Sequence, residues 1–140
     1  MPVSATALVV GDTREMALFD DLSHTQIVMY AGASGDYNPI HSDNRFTEEI
    51  AGYPSVFAHG MLTMGATGRI VNDSFGVDPI VRYSAPFVNQ VWPGDSLIST
   101  ATVDAIRDHD RGQLADLSIV TVNGDSMPVL TGTATVRLDP

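Results

Sequence analysis

An aspartate and a histidine stand five residues apart in a segment that is rich in structure-breaking residues. The segment, residues 30–41, reads YAGASGDYNPIH and places Asp36, Asn38 and His41 among glycines and a proline. Glycine and proline interrupt regular elements, so these side chains are predicted to lie on a tight, irregular turn. The Asn-Pro bond holds Asn38 outside the helical region, which fixes the direction in which His41 leaves the turn. A carboxylic acid and an imidazole on a rigid loop are typical of acid–base chemistry.

The segments on either side of the turn, and one beyond them, are predicted to be helices. Ser23 is a candidate N-cap for a short helix over about residues 24–33, and Asp43 is a candidate N-cap for a second helix that ends before Gly52. The main helix is predicted over residues 60–75, although it contains two glycines that each cost about 1 kcal/mol relative to alanine. Small residues on several sides of a helix are typical of one that other structure encloses.

The rest of the chain has the pattern of a sheet. From Ile80 onward apolar residues recur at every second position, which predicts strands near 80–91, 96–107, 114–123 and 128–138. The Asn123-Gly124 pair is typical of a hairpin, and four strands joined by short turns predict an antiparallel meander. Residues 4–19 are interpreted as a mixed Ala/Val/Leu lead with a turn at Gly11. The sequence therefore predicts an α+β fold in which the sheet wraps around the helix over residues 60–75.

Composition narrows the classes of function. The 140 residues, of which 44% are hydrophobic, predict one globular domain over residues 1–140. A net charge of −10 and only seven cations argue against binding to nucleic acid. The lack of a long apolar run predicts a cytoplasmic protein without a membrane segment. The absence of cysteine excludes thiol nucleophiles, and the histidines and acids form no metal-ligand pattern on a helix, so no metal is expected.

Three motifs follow one another along the chain: SGDYNPIH (residues 34–41), FAHGMLTMG (57–65) and VWPGD (91–95). In order and approximate spacing they resemble those of the MaoC-like dehydratases, a family of hotdog-fold proteins that includes (R)-specific enoyl-thioester hydratases. The run HGMLTMGATG is similar to the actinobacterial branch that includes the catalytic subunit of the (R)-3-hydroxyacyl-ACP dehydratase. Several short-chain hydratases have a serine where this chain has Gly68, which puts substrate length and carrier in doubt.

The resemblance implies a hydro-lyase that hydrates a trans-2-enoyl thioester or dehydrates a 3-hydroxyacyl thioester. Asp36 and His41 match the catalytic residues of the family, and Gly60 matches its backbone N–H donor to the thioester oxygen. Asn38 and His59 are interpreted as loop-shaping or supporting residues. The family's chemistry implies no cofactor beyond the CoA or phosphopantetheine that carries the substrate. Its fold implies a homodimer, or a heterodimer with a related hotdog subunit.

Two other functions stay open at this point. The hotdog fold also hosts acyl-CoA thioesterases, and a fold does not fix a function. Thioesterases of this fold usually lack the Asp-x-Asn-Pro-x-His loop, however. The chain could also be an acyl-binding or dehydratase subunit that is active only with a hotdog partner, although its intact catalytic motif argues against degeneration. Acyl chain length, CoA or ACP as carrier, pathway and direction are not given by the sequence.

Overall fold

The computed structural model describes residues 8–76 and 78–138, which form a sheet and several helices. In chain order the elements are β1 (Thr13–Phe19), α1 (His24–Ser34), a 3-10 turn (Pro39–His41), α2 (Asn44–Phe46), a π-helical turn (Thr47–Ala51), α3 (Gly60–Phe75), β2 (Ile80–Ser84), β3 (Leu97–His109), β4 (Gly112–Val122) and β5 (Pro128–Leu138). The bounds of α3 are those that the sequence predicts.

The five strands form one antiparallel sheet in the order β1-β3-β4-β5-β2. The three longest strands are consecutive in the chain and form its centre, where Ile119 of β4 lies opposite Ala101 of β3 and Gly132 of β5. The hairpin predicted at Asn123-Gly124 joins β4 to β5. The predicted α+β class is therefore confirmed.

Helix α3 fills the space in front of the sheet. Its C-terminal half places Ile70, Val71 and Phe75 in a cluster with buried residues of β3, β4 and β5. Its N-terminal half packs through Ala66 against the other core cluster, to which α1 contributes Ile27. Full burial of an aliphatic or aromatic side chain stabilises a fold by about 1.5–3 kcal/mol. The sheet thus encloses a central helix, as the hotdog fold implies.

The predicted helix ends are also found. Ser23 and Gln26 form a reciprocal capping box at the start of α1, in which the Gln26 N–H donates to the Ser23 hydroxyl. The Asp43 side chain accepts from the Phe46 N–H at the start of α2. The second predicted helix is α-helical only at its beginning and continues as a wider π-helical turn, which Gly52 ends with a φ of 77°.

Two strand predictions are wrong. Strand β1 lies inside the segment interpreted as a lead and pairs with β3; residues 4–7 of that segment lie outside the described residues. The strand predicted over 80–91 ends at Ser84, and β2 pairs with β5 instead of β3. The predicted four-stranded meander is therefore limited to β3, β4 and β5. Pro86 follows the end of β2, and proline has no N–H to donate to a strand ladder.

Residues 85–96 form an irregular crossing segment between β2 and β3. Its backbone is tied to the start of β5 by the Val88 N–H, which donates to the Val129 carbonyl at 3.0 Å. It is also bound to the residues just before α3, because the Ala58 N–H donates to the Val91 carbonyl at 2.8 Å. The segment therefore passes beside the N-terminus of α3. None of the helices in the described ranges is long and apolar enough to span a membrane.

Candidate active site

The turn between α1 and α2 has the tight geometry that the sequence predicts. Gly35 ends α1 with a φ of 75°, and the Asp36 carboxylate then accepts from the Asn38 N–H at 3.2 Å. Asn38 has an extended ψ of 125°, and its side-chain oxygen accepts from the Ile40 N–H at 3.2 Å. Two successive side-chain turns of this kind fix the backbone between Asp36 and His41.

The His41 ring is buried and has a defined tautomer. Its side chain is only 7% exposed, and its Nδ1 lies 2.6 Å from the carbonyl oxygen of Phe57. A carbonyl can only accept, so Nδ1 carries the proton and donates it to Phe57. In the neutral ring this leaves the lone pair on Nε2. His41 can therefore accept a proton from a ligand at Nε2 while its Nδ1 side is held by the backbone.

The surroundings lower the pKa of His41. Burial is the largest cause, and a second, smaller lowering comes from the neighbouring His59. The hydrogen bond to the Phe57 carbonyl and the charge of Asp36 act in the opposite direction without cancelling burial. The neutral, proton-accepting form of His41 is consequently favoured at neutral pH.

A second imidazole, that of His59, stacks on the first. The ring centroids are 3.9 Å apart and the planes differ by 26°, while the Tyr30 ring meets His59 edge-on at 4.8 Å. His59 is 2% exposed, and its Nε2 donates to the Asp36 carbonyl oxygen at 3.1 Å. Within the described residues, its Nδ1 is buried without a hydrogen-bond partner. His59 therefore contacts both members of the predicted catalytic pair.

The predicted acid and base come together in space. One oxygen of Asp36, one ring nitrogen of His41 and one of His59 all lie within 4.8 Å of one another. A single water can bridge polar groups at this separation. The three groups are also of the types that ligate metal ions. The expectation of a metal-free site stays a prediction.

Gly60, the predicted backbone donor, is the first residue of α3. Its N–H has no partner inside the helix, and the helix dipole favours negative charge at this end. A Cβ atom on Gly60 would lie 2.6 Å from the Phe87 ring, which is closer than real Cβ contacts. A side chain at this position would therefore require the half-exposed Phe87 ring to move away from the helix start.

A cavity of about 280 Å³ opens beside Gly60. Its walls include Phe57, Phe87, Val91 and Val129. Asp36 and His41 do not line this cavity, but its wall residue Phe57 holds His41 through its carbonyl. No site residue is predicted in the crossing segment, although residues 91–95 form the third family motif, because residues 80–91 have the pattern of a strand. Gly68 lies elsewhere: a Cβ there would meet the Tyr83 ring at 3.5 Å.

The chain is similar to characterised proteins over most of its length. Residues 6–123 match the MaoC-like domain family. The mitochondrial 3-hydroxyacyl-(acyl-carrier-protein) dehydratase of Arabidopsis thaliana is 31% identical over 137 residues, covering 96% of this chain and 80% of that protein. The solved (R)-hydratase from A. caviae involved in PHA biosynthesis has a TM-score of 0.77 and 26% identity, with 96% of this chain and 100% of that chain covered.

Other relatives are longer proteins. The 3-hydroxyacyl-thioester dehydratase Y of Mycobacterium tuberculosis is 39% identical over 67 residues, which make up 46% of this chain and 23% of that protein. The aligned region thus spans less than a quarter of that relative. The match over residues 6–123, together with the likeness to the Arabidopsis protein along nearly the whole chain, decides the family. This chain belongs to the MaoC-like domain family.

Proposed function

We propose that this chain is a hydro-lyase that reversibly hydrates a trans-2-enoyl thioester to the (R)-3-hydroxyacyl thioester. The observation that carries the proposal is the placement of an acid–base pair, Asp36 and His41, beside the free helix N-terminus at Gly60. The pair can move a proton, and the helix start can stabilise an enolate oxygen. The names of the relatives, which are dehydratases and hydratases of acyl thioesters, support the same reaction.

The acid–base step follows from the tautomer of His41. Water held between Asp36 and His41 attacks C3 of the enoyl group and gives one proton to His41 Nε2, the free lone pair. The water oxygen becomes the C3 hydroxyl, and the C2–C3 π electrons move into the thioester carbonyl to form an enolate. Nε2–H then delivers the proton to C2. The Asp36 carboxylate orients the water and stabilises the transient imidazolium.

The enolate oxygen needs a preorganised donor, and the N–H of Gly60 provides one. A backbone N–H at a helix start is fixed in direction before the substrate arrives, so it need not reorganise as charge develops. In other enzymes, the loss of one such donor raises the barrier by about 2.7–4 kcal/mol. Placing the thioester carbonyl at Gly60 puts part of the substrate against the cavity walls formed by Phe87 and Val91.

The reaction so described needs no metal or redox group, and the CoA or phosphopantetheine thiol acts only as the substrate's carrier. His41 accepts the proton from water and returns it to C2, while the Asp36 carboxylate orients the water. The proposal therefore includes no resident cofactor.

The test is a hydration assay on the isolated chain. Crotonyl-CoA should lose its conjugated-enoyl absorbance, and the product should be the (R)-3-hydroxy isomer by chiral chromatography. The exposed His109→Gln variant should behave as the wild type, since His109 ends β3 far along the sheet from the site. Release of free thiol without hydration would overturn the proposal in favour of a thioesterase.

We further propose that two chains associate, as a homodimer or with a related hotdog subunit. Strand β2 forms one edge of the described sheet, and its Val81 is 50% exposed. An edge strand with an exposed apolar residue is suited to pairing with a second sheet. Sedimentation equilibrium should give about twice the chain mass of 14.9 kDa. A purely monomeric mass at micromolar concentration would contradict the homodimer.

A further inference from the structure

We infer that His59 is a positioning residue for the proposed reaction: it anchors the Asp36 turn and keeps His41 in its proton-accepting form. The inference deepens the proposed function and rests on it for its kinetic consequences. Its structural basis is independent, because His59 contacts the backbone of Asp36 with one edge and the ring of His41 with one face.

The anchoring role follows from the hydrogen bond between His59 and Asp36. The Asp36 carbonyl accepts from His59 Nε2 at 3.1 Å, across 23 positions in the chain. His59 directly precedes Gly60, so this bond ties the acid to the start of α3. Asp36 itself is exposed and lies on a turn held by short-range bonds. The distance from the carboxylate to the water and to the helix start therefore depends on the His59 ring.

The second role follows from the stacking of the two imidazoles. Two like charges held a few ångströms apart in a buried site repel each other strongly, because little water screens them. The ring centroids of His41 and His59 are 3.9 Å apart, so a positive charge on one ring disfavours a positive charge on the other. After burial, the His59 ring is the second cause that lowers the pKa of His41.

The other titratable groups that face this pair are few among the described residues. Asp36 faces His41 from the turn and raises its pKa. Tyr30 of α1 meets His59 edge-on. Asp36 therefore raises the pKa of His41 whereas His59 lowers it, so the loss of His59 should shift this pKa upward.

Two substitutions of His59 separate its hydrogen bond to Asp36 from its stacking on His41. His59→Gln keeps an N–H near the position of Nε2 and loses the ring, whereas His59→Phe keeps a stacked ring and loses the donor. Both remove the second titratable group, so in both the pKa of His41 should rise. Only His59→Phe should release the Asp36 turn, and its kcat for enoyl-CoA hydration should fall about ten- to a hundredfold with a smaller change in KM. His109→Gln serves as the matched histidine control.

The pKa of His41 is measured by NMR titration of its Cε1 proton, which needs no catalytic activity. An upward shift in both variants, with kcat better retained in His59→Gln, supports the inference. A His41 pKa that is unchanged in both variants overturns the inference. Equal losses of kcat in His59→Gln and His59→Phe that merely parallel a lower Tm also overturn it. If the wild type hydrates no enoyl thioester, the proposed function fails, while the NMR titration still decides whether His59 controls His41.

Discussion

At the scale of single residues, the proposed chemistry depends on which nitrogen of His41 is free. The 2.6 Å contact with the Phe57 carbonyl fixes the proton on Nδ1 and leaves Nε2 as the base. Burial then lowers the pKa of His41, so the ring stays neutral where an exposed histidine would begin to protonate. The charge of Asp36, which is exposed, raises the pKa of His41 and so opposes the effect of burial.

The pH dependence of hydration should report this balance. Activity requires neutral His41, so kcat/KM should fall as the pH decreases, with its midpoint below the ordinary histidine value of 6.5 because burial lowers the pKa. Asp36→Asn should reduce kcat/KM about a hundredfold or more. The residual activity should have its midpoint at still lower pH, since the carboxylate that raises the pKa is gone. A pH–rate series on both proteins measures this, and a midpoint above 6.5 in the wild type would contradict it.

The candidate site was predictable from sequence only in part. Asp36 and His41 are recognisable as an acid–base pair on a turn rich in glycine and proline, and the family resemblance adds Gly60 and the reaction. The contacts that orient them are not recognisable, because the acceptors are the backbone carbonyls of Phe57 and Asp36. Every residue has such a carbonyl, so no residue type marks the acceptor. Those contacts join positions 16 and 23 residues apart and exist only once α3 is in place.

At the scale of elements, the site is assembled where the start of α3 meets the crossing segment 85–96. Phe87 of that segment lies half exposed against Gly60, and a β-bridge to Leu130 holds it beside β5. The absence of a side chain at Gly60 is therefore a packing requirement as well as a means of access to the backbone N–H. Both requirements apply to Gly60, so a substitution there should affect packing and access to the backbone N–H together.

Gly60→Ala should lower both stability and activity. Its methyl group would lie 2.6 Å from the Phe87 ring, and overpacking of this kind typically costs about 1–3 kcal/mol. Gly65→Ala in the same helix is the control: no atom of the described residues lies within 4 Å of the added Cβ, so the free energy of unfolding should rise by about 0.4–1 kcal/mol with unchanged activity. Urea denaturation and the hydration assay measure both effects.

Removal of the clashing ring should rescue the variant. In a double-mutant cycle, Gly60→Ala combined with Phe87→Ala should be less destabilised than the sum of the single changes, by at least about 0.5 kcal/mol. Strict additivity of the two changes would show that the ring does not restrict Gly60.

The sequence predicted helices better than strands for a physical reason. Ser23, Asp43 and Gly52 are local signals at helix ends, and each acts within five residues of its own position. Strand β1 has a weak alternation, with Arg14 and Glu15 side by side, and it is fixed by pairing with β3 about 85 residues away. Partner strands supply most of what makes a short edge segment extended. The place of β2 next to β5 is likewise a property of the assembled sheet.

At the scale of the whole molecule, the net charge of −10 affects the approach of substrate. CoA carries phosphates, and an acyl carrier protein is acidic, so either carrier meets a like-charged protein. Such repulsion reaches about 30 Å at 0.01 M salt and about 8 Å at 0.15 M. In the proposed reaction, the charge of the chain thus acts on the association step, whereas the roles proposed for Asp36, His41 and Gly60 belong to the chemistry that follows.

Salt should therefore improve the use of charged substrates. When NaCl is raised from about 20 to about 200 mM, KM for crotonyl-CoA should fall because screening weakens the repulsion, and kcat should stay unchanged. The uncharged crotonyl N-acetylcysteamine thioester has the same reacting group and should show no dependence of KM on salt. Enoyl-ACP should respond more strongly than enoyl-CoA, since its acidic surface extends beyond the thioester arm. A KM for crotonyl-CoA that rises with salt would contradict this and would show that arginines near the cavity outweigh the overall charge.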